Sequence, residues 1–130
     1  MYGKYAFYFA SEANRNVFQT DPARYAPRFG GFCAYGIADE SFWTKSTLGP
    51  EANPDIWRVV DDALLVFMYC TPEAKFMLSN SSAQLDRAEK IWSTWFDGEP
   101  VFNTNCFWDD RLSGGTNADR EDEASYDCLE

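Results

Sequence analysis

The sequence predicts an α+β fold, in which a small antiparallel sheet, formed by one strand plus a hairpin, packs against several short helices. Three features predict this fold. Short β-rich runs lie near the N terminus and in the middle of the chain, helical patterns with capping residues lie between and after them, and large rings can fill the core, since aromatic residues make up 18% of the 130 residues. The C-terminal part is predicted to be an irregular extension, aromatic and then acidic.

The N-terminal elements are predicted from an aromatic run and from two capping residues. Residues 4–10, "KYAFYFA", partly alternate large and small side chains, which is typical of a strand. Ser11 suits the N-cap of a helix that continues to Thr20. Asp21 caps a further helical turn, whose first position is a proline, and the pair Gly30-Gly31 lies beyond its end.

The middle of the chain contains a buried segment and the predicted hairpin. "GFCAYGIA" is expected to be buried, as helix or strand, and a loop rich in Gly, Pro and Asn follows it. The runs "IWRVV" and "ALLVFMY" are separated by Asp61-Asp62, which predicts a two-residue hairpin. Such a turn needs positive φ at both positions, a conformation that glycine adopts more easily than aspartate.

Two helices are predicted after the hairpin. Thr71 is expected to cap a short one, and Ser81 with Gln84 matches the capping box of a longer one. Gly98 is expected to follow its end. One face of the longer helix is predicted to face the core through Leu85, Ala88, Trp92 and Trp95.

The segments "YGKYAFYFASEANRNVFQTDPARYAP", "RFGGFCAYGIA" and "NPDIWRVVDDALLVF", with a helix ending near "AEKIW", together resemble the YHS domain in its extended, stand-alone form. The resemblance covers about residues 2–95. It implies that residues 1–96 form a YHS-like domain, shortened at its N terminus relative to the family, and that residues 97–130 are an extension particular to this chain. The packing residues that it implies are Phe7, Phe9, Phe18, Tyr25 and Trp57.

The positions of the family's metal ligands differ in this chain. YHS domains thought to bind heavy metals carry a cysteine after the aromatic pair and a second one four residues later, and these positions are Ala10 and Asn14 here. A methyl group and an amide cannot replace thiolates as ligands of zinc or copper. The resemblance therefore implies no metal at this site, and the sequence indicates no cofactor. A metal site rebuilt from Cys70, Cys106 and Cys128, or calcium held by the acidic tail, remains open.

The charge distribution favours a protein partner. The net charge is −10, and residues 109–130 hold 8 acidic and 2 basic residues. The sequence predicts no binding to nucleic acid or to anionic membranes, because both require clustered Lys or Arg. The longest apolar run, "ALLVFMYC", is too short to span a membrane. A basic surface on a protein partner, in a multi-subunit complex, fits best; a merely solvated tail is the alternative.

The cysteines and the absence of histidine limit the chemistry. Without His as a general base, Cys33 is better interpreted as a small buried hydrophobic residue than as a nucleophile, and we expect no enzymatic activity. Among the three full pairings that four cysteines allow, a Cys106–Cys128 disulfide would tie down the tail. It would imply an oxidising compartment, either an organelle lumen or an extracytoplasmic space.

Large rings are more frequent near the C terminus than one helix face requires. Exposed rings are typical of the centres of protein interfaces. The sequence therefore predicts a non-enzymatic accessory module that docks onto a larger protein assembly through Trp95, Phe96, Phe102, Phe107 and Trp108. Two alternatives stay open: the same rings complete the core, or the protein is extracytoplasmic and binds a metal or a small ligand.

Overall fold

The structure is a computed structural model that describes residues 1–104. The chain begins with helices α1 (Glu12–Thr20) and α2 (Pro22–Tyr25), a 3₁₀ turn (Arg28–Gly31) and helix α3 (Ala34–Asp39). It continues with the strands β1 (Asn53–Val60) and β2 (Ala63–Phe67) and then with helices α4 (Cys70–Leu78) and α5 (Ser81–Phe96). The strands pair antiparallel. The predicted α+β fold class is confirmed. None of the described helices is long and apolar enough to cross a bilayer.

The hydrophobic core lies where the hairpin meets α3, α4 and α5. The rings of Phe67 on β2 and Phe76 on α4 are fully buried, with their centroids 5.3 Å apart. The segment "GFCAYGIA" forms much of α3, which packs against α5 and buries Ile37 at the same core. Burial of this predicted segment is therefore confirmed, and its type is helical.

The hairpin turns at Asp61-Asp62, as predicted, with Val60 opposite Ala63. Both turn residues have positive φ, +48° and +66°. This is the conformation that a two-residue hairpin requires, and here it is adopted without glycine at a cost in backbone strain.

The prediction of a strand at residues 4–10 is wrong. Within the described chain the sheet has two strands, and the N-terminal segment forms only an isolated bridge between Tyr2 and Tyr5. A run of rings forms a strand only if a sheet edge lies beside it. Here Phe7 and Phe9 instead contact Phe18 of α1, each at a centroid distance of 5.0 Å. Ring packing has replaced strand pairing.

The two caps predicted near the N terminus are confirmed. Ser11 Oγ accepts a hydrogen bond from the backbone N–H of Asn14 at 3.1 Å. Asp21 Oδ1 accepts one from the N–H of Arg24 at 3.4 Å, and Pro22 occupies the first position of α2. Local rules were sufficient at both sites because caps depend only on residues within one helical turn.

The two later caps differ from the prediction. Helix α4 begins one residue before Thr71 and has no side-chain cap. Helix α5 is capped by Asn80 rather than Ser81. Gln84, the predicted partner in the capping box, is buried and donates a hydrogen bond to Asp39 at 2.6 Å. A buried amide must find a partner, and the carboxylate of α3 provides it.

Of the five packing residues implied by the YHS resemblance, three are at least half-buried and two are exposed. Phe18 is buried, and Phe7 and Phe9 are half-buried. The expectation is wrong for Tyr25 and Trp57, which are 38% and 56% exposed. Trp57 lies on the face of β1 that is directed away from the core, because a strand alternates its side chains between two faces.

A buried ion pair links the sheet to α4. Glu73 is 2% exposed, and its Oε1 accepts a hydrogen bond from Arg58 Nε at 2.6 Å. Its other carboxylate oxygen has no hydrogen-bond partner among the residues described. A carboxylate in this position depends on Arg58, because an uncompensated buried charge is costly.

The chain stays in contact with the domain after α5 ends. Asp97 and Gly98, both with positive φ, terminate the helix, as the sequence predicted for this region. The backbone N–H of Asn103 then donates a hydrogen bond to the carbonyl of Gly30 at 2.9 Å. Contact with the domain thus continues well past residue 96, where the sequence analysis ended the domain.

Candidate interaction surface and ligand pocket

Three rings form a continuous cluster at the C-terminal end of α5. The α5 ring cluster consists of Trp92, Trp95 and Phe96, with centroid distances of 6.2 Å (Trp92–Trp95), 4.6 Å (Trp92–Phe96) and 6.4 Å (Trp95–Phe96). Trp92 also contacts Phe29 and Phe32 of the core, at 6.1 and 6.2 Å. All three rings are half-buried. Trp92 and Trp95 pack against the core, as the α5 pattern predicted, and all three rings still present part of their surface to solvent.

The surroundings of the α5 ring cluster carry charge of both signs. Lys45, from the loop after α3, places its Nζ 5.6 Å from the centroid of Phe96. Asp97 and Glu99 follow the helix directly and are exposed. The cluster is thus bordered by a cation on one ring and by carboxylates at the helix end.

Of the other predicted interaction residues, the structure describes only Phe102. Phe102 is half-buried, and its ring contacts those of Tyr2, Tyr5 and Phe7 at 5.8, 5.1 and 5.1 Å. It therefore holds the N-terminal segment against the domain. The last two predicted interaction residues, Phe107 and Trp108, lie outside the described residues.

A groove connects the α5 ring cluster with Phe102. It encloses about 240 Å³, and its lining includes Trp92, Tyr2 and Phe102. Arg28 and Glu89 form an ion pair of 3.1 Å at its wall. Trp92 of α5 and Phe102 of the following segment thus border one surface depression.

A second depression, the Trp43 pocket, lies between α3, the loop after α3 and the start of α4. Its volume is about 380 Å³. Most of its wall is apolar, and three aromatic side chains line it: Tyr35, Trp43 and Tyr69. Met68 and Pro50 add further apolar surface, and the charged residues at the pocket are Glu40, Glu51 and Lys75.

The polar groups of the Trp43 pocket are held in place. Trp43 Nε1 donates a hydrogen bond to Glu40 Oε1 at 3.1 Å, which fixes the indole and one carboxylate oxygen together. Lys75 Nζ lies 5.8 Å from the centroid of the Tyr35 ring. Both contacts orient side chains before any ligand is present.

Cys33 lies at the floor of the Trp43 pocket. It is 3% exposed, and its Sγ accepts a hydrogen bond from the N–H of Met68 at 3.4 Å. Burial raises the pKa of the Cys33 thiol, and the negative charge of Glu40 adds a smaller contribution in the same direction. The thiol is therefore protonated at neutral pH and is a poor nucleophile, which agrees with its interpretation as a buried hydrophobic residue.

The structure describes two of the four cysteines and both positions at which the YHS family carries metal ligands. Cys33 is free, whereas Cys70 at the start of α4 is disulfide-bonded, a bond that the sequence analysis did not single out. Cys106 and Cys128 lie outside the described residues. Ala10 and Asn14, the family's ligand positions, are both exposed. Residues 1–104 contain no group of three or more His, Cys, Asp or Glu side chains that could hold a metal ion.

The sequence analysis missed the Trp43 pocket. Its residues come from α3, the loop after it and α4, so they are far apart in sequence and become neighbours only on folding. One signal was present: a tryptophan within a loop rich in Gly, Pro and Thr has no helix face or strand face to fill, which favours a role in a site.

Comparison of the chain with protein-family models, with curated proteins and with solved structures found no match. The resemblance to the YHS domain therefore stays a prediction.

Proposed function

We propose that this protein is a non-enzymatic accessory module that docks onto a larger protein assembly through its C-terminal aromatic surface. In the described residues this surface comprises Trp95 and Phe96 of the α5 ring cluster and Phe102; Phe107 and Trp108 follow in sequence. The observation that carries the proposal is that Trp92, whose ring contacts Trp95 and Phe96, lines one groove together with Phe102.

The half-buried rings are suited to binding because they are already ordered. Trp95 packs against the core, Phe96 contacts the rings of Trp92 and Trp95, and Phe102 contacts the rings of the N-terminal segment. Each ring also leaves part of its surface in water. Association of a flexible ring would cost side-chain entropy, whereas a packed ring has lost most of that freedom on folding. Tryptophan and phenylalanine with this exposure are typical anchors of an interface.

Charge points to a basic surface on the partner. The net charge of the chain is −10, and the residues after the rings are strongly acidic. Asp97 and Glu99 add exposed carboxylates beside the α5 ring cluster. Such a distribution accelerates encounter with a basic protein and makes the association rate depend on salt.

The proposal includes neither catalysis nor a cofactor. The chain has no histidine, and the buried thiol of Cys33 is protonated at neutral pH because burial raises its pKa. The disulfide at Cys70 favours an oxidising compartment, such as an organelle lumen or an extracytoplasmic space. A different feature, the Trp43 pocket, favours the alternative function of binding a small ligand.

A position-specific crosslink tests the docking surface in the full chain. A photoreactive benzoylphenylalanine is incorporated in place of Phe96 and, as a matched control, in place of Tyr8, whose ring is 93% exposed in the N-terminal segment. In cells that normally make the protein, we expect one discrete crosslinked partner from position 96 and none from position 8. Equal crosslinking from both positions would show that contact is unspecific.

Affinity measurements with the purified partner complete the test. We expect Phe96→Ser to raise the Kd by about tenfold or more, and Tyr8→Ser to leave it within about twofold. The association rate should fall as salt increases. If Phe96→Ser and Tyr8→Ser have the same effect while both variants stay folded, docking through this surface is refuted.

A further inference from the structure

We infer that the Trp43 pocket binds a small amphipathic amine, with an aromatic body of one or two rings and a single protonated amino group. This inference concerns a site separate from the aromatic docking surface and does not depend on it.

The size of the pocket limits the ligand. Pockets for small molecules range from about 300 to 1,000 Å³, and this one encloses about 380 Å³. An engineered cavity of about 150 Å³ holds benzene. A bicyclic aromatic with a short side chain therefore fits, whereas a nucleotide or a peptide of several residues is too large.

The walls of the pocket match an aromatic body. Tyr35, Trp43 and Tyr69 present rings, and Met68 presents a polarisable thioether. Rings stack or meet edge to face with an aromatic ligand, and methionine sulfur also contacts rings favourably. Since Trp43 is fixed through its bond to Glu40, this surface exists before the ligand arrives.

The charges of the pocket favour a cation. Glu51 and Lys75 are exposed, so solvent screens both. Glu40 is half-buried, and only its Oε1 is joined to Trp43. Its charge reaches the pocket floor, because it contributes to the raised pKa of Cys33 after the larger effect of burial. A protonated amine would thus meet the Glu40 carboxylate and a wall that contains aromatic rings, and both kinds of group attract cations.

Three ligands of nearly equal shape separate these contributions. Titration calorimetry on the full chain compares tryptamine, which is cationic, with neutral 3-ethylindole and anionic indole-3-propionate. We expect tryptamine to bind with a Kd of about 1 mM or tighter, 3-ethylindole to bind about tenfold more weakly, and indole-3-propionate to bind most weakly. Equal affinities for all three, or no heat from tryptamine at millimolar concentrations, would overturn the inference.

Matched variants then locate the site. Glu40→Gln keeps an acceptor for Trp43 Nε1 and removes the charge, so tryptamine should lose about tenfold in affinity while 3-ethylindole changes by less than about twofold. The control is Glu12→Gln, which removes an equal charge from α1, far in sequence from the pocket residues, and should leave both affinities unchanged. If the two variants weaken tryptamine equally, the effect is one of net charge and the site is wrong.

A steric variant covers the case in which Glu40→Gln disturbs folding. A Cβ added at Gly49 would meet Trp43 Cζ3 at 3.4 Å, an ordinary van der Waals contact, so Gly49→Ala should fold normally. It narrows the pocket and should weaken tryptamine and 3-ethylindole by the same factor. Thermal unfolding without ligand checks that each variant is folded, and unchanged binding of both ligands by Gly49→Ala would contradict the location.

Discussion

Replacing Gly30 by alanine tests whether residues 101–103 are an integral part of the domain. Gly30 has a φ of +61°, and a Cβ at this position would lie 2.4 Å from the carbonyl oxygen of Val101. Gly31 has a φ of +74°, but the nearest atom to its Cβ would be 4.0 Å away, on Pro27. Gly31→Ala therefore pays only the cost of positive φ, about 1–2 kcal/mol, and serves as the matched control.

The additional cost of Gly30→Ala follows from the contacts that the new methyl group displaces. The obstructing atom is backbone, so the segment must move away and the hydrogen bond from Asn103 to Gly30 is lost, at about 1 kcal/mol. Phe102 moves with it, and each of its three ring contacts contributes about 0.5–1.5 kcal/mol. With partial relaxation, we expect Gly30→Ala to cost about 2–4 kcal/mol more than Gly31→Ala.

Equilibrium unfolding in guanidinium chloride measures this difference directly. Hydrogen exchange adds a local test: the amides of Asn103 and Tyr5 should lose protection in Gly30→Ala and keep it in Gly31→Ala, because Phe102 holds the N-terminal segment. If the two variants differ by less than about 0.5 kcal/mol, residues 101–103 do not pack on Gly30 and the domain does end near Phe96.

Three further substitutions test the turn, the ion pair and the buried thiol. Asp62→Gly should stabilise the protein by about 0.5–1 kcal/mol, because it relieves the φ of +66° and loses only an exposed contact; a lower denaturation midpoint would contradict this. Arg58→Ala should lower the free energy of unfolding by about 3 kcal/mol, because it leaves the Glu73 carboxylate buried without its partner. In a Glu73→Gln background the same substitution should cost clearly less, and equal costs in the two backgrounds would refute the role of the ion pair. The pKa of Cys33 is raised above 9.0 in the folded protein, mainly by burial, so the unfolded thiol ionises first. The contribution of the buried, neutral Cys33 thiol to the free energy of unfolding is therefore complete below about pH 9 and is lost as the pH rises further. Unfolding measured as a function of pH should show this loss in the original protein and not in Cys33→Ala.

The parts of the fold that sequence predicted depend on neighbouring residues alone. Ser11 and Asp21 cap helices through bonds within one turn. The hairpin at Asp61-Asp62 was evident because two β-rich runs lie two residues apart, and the inward face of α5 was evident from the spacing of its apolar residues, Leu85 and Ala88 among them. Each of these signals is complete within one element or within two elements that are adjacent in sequence.

The features that sequence missed depend on contacts between distant elements. The rings at residues 4–10 have the composition of a strand, but whether a sheet edge lies beside them depends on the packing of Phe18 and Phe102. Gln84 matched a capping box, yet its partner is Asp39, forty-five residues earlier. The same limit applies to the candidate sites. Trp95 and Phe96 were selected as interaction residues from the local density of rings, and that role stays a prediction, whereas the Trp43 pocket is assembled from three elements.

The loop after α3 connects the two proposed sites. Trp43 lies in the pocket and is bonded to Glu40, while Lys45, two residues later, rests over the ring of Phe96. If an amine in the pocket shifts this loop, it changes the contact between Lys45 and Phe96, and thermodynamic linkage requires a docked partner to change amine affinity by the same factor. An exposed cation–ring contact contributes about 0.5–1 kcal/mol, which limits the factor to about two- to fivefold. Through this contact a ligand would therefore adjust the strength of docking and could not act as an all-or-none switch.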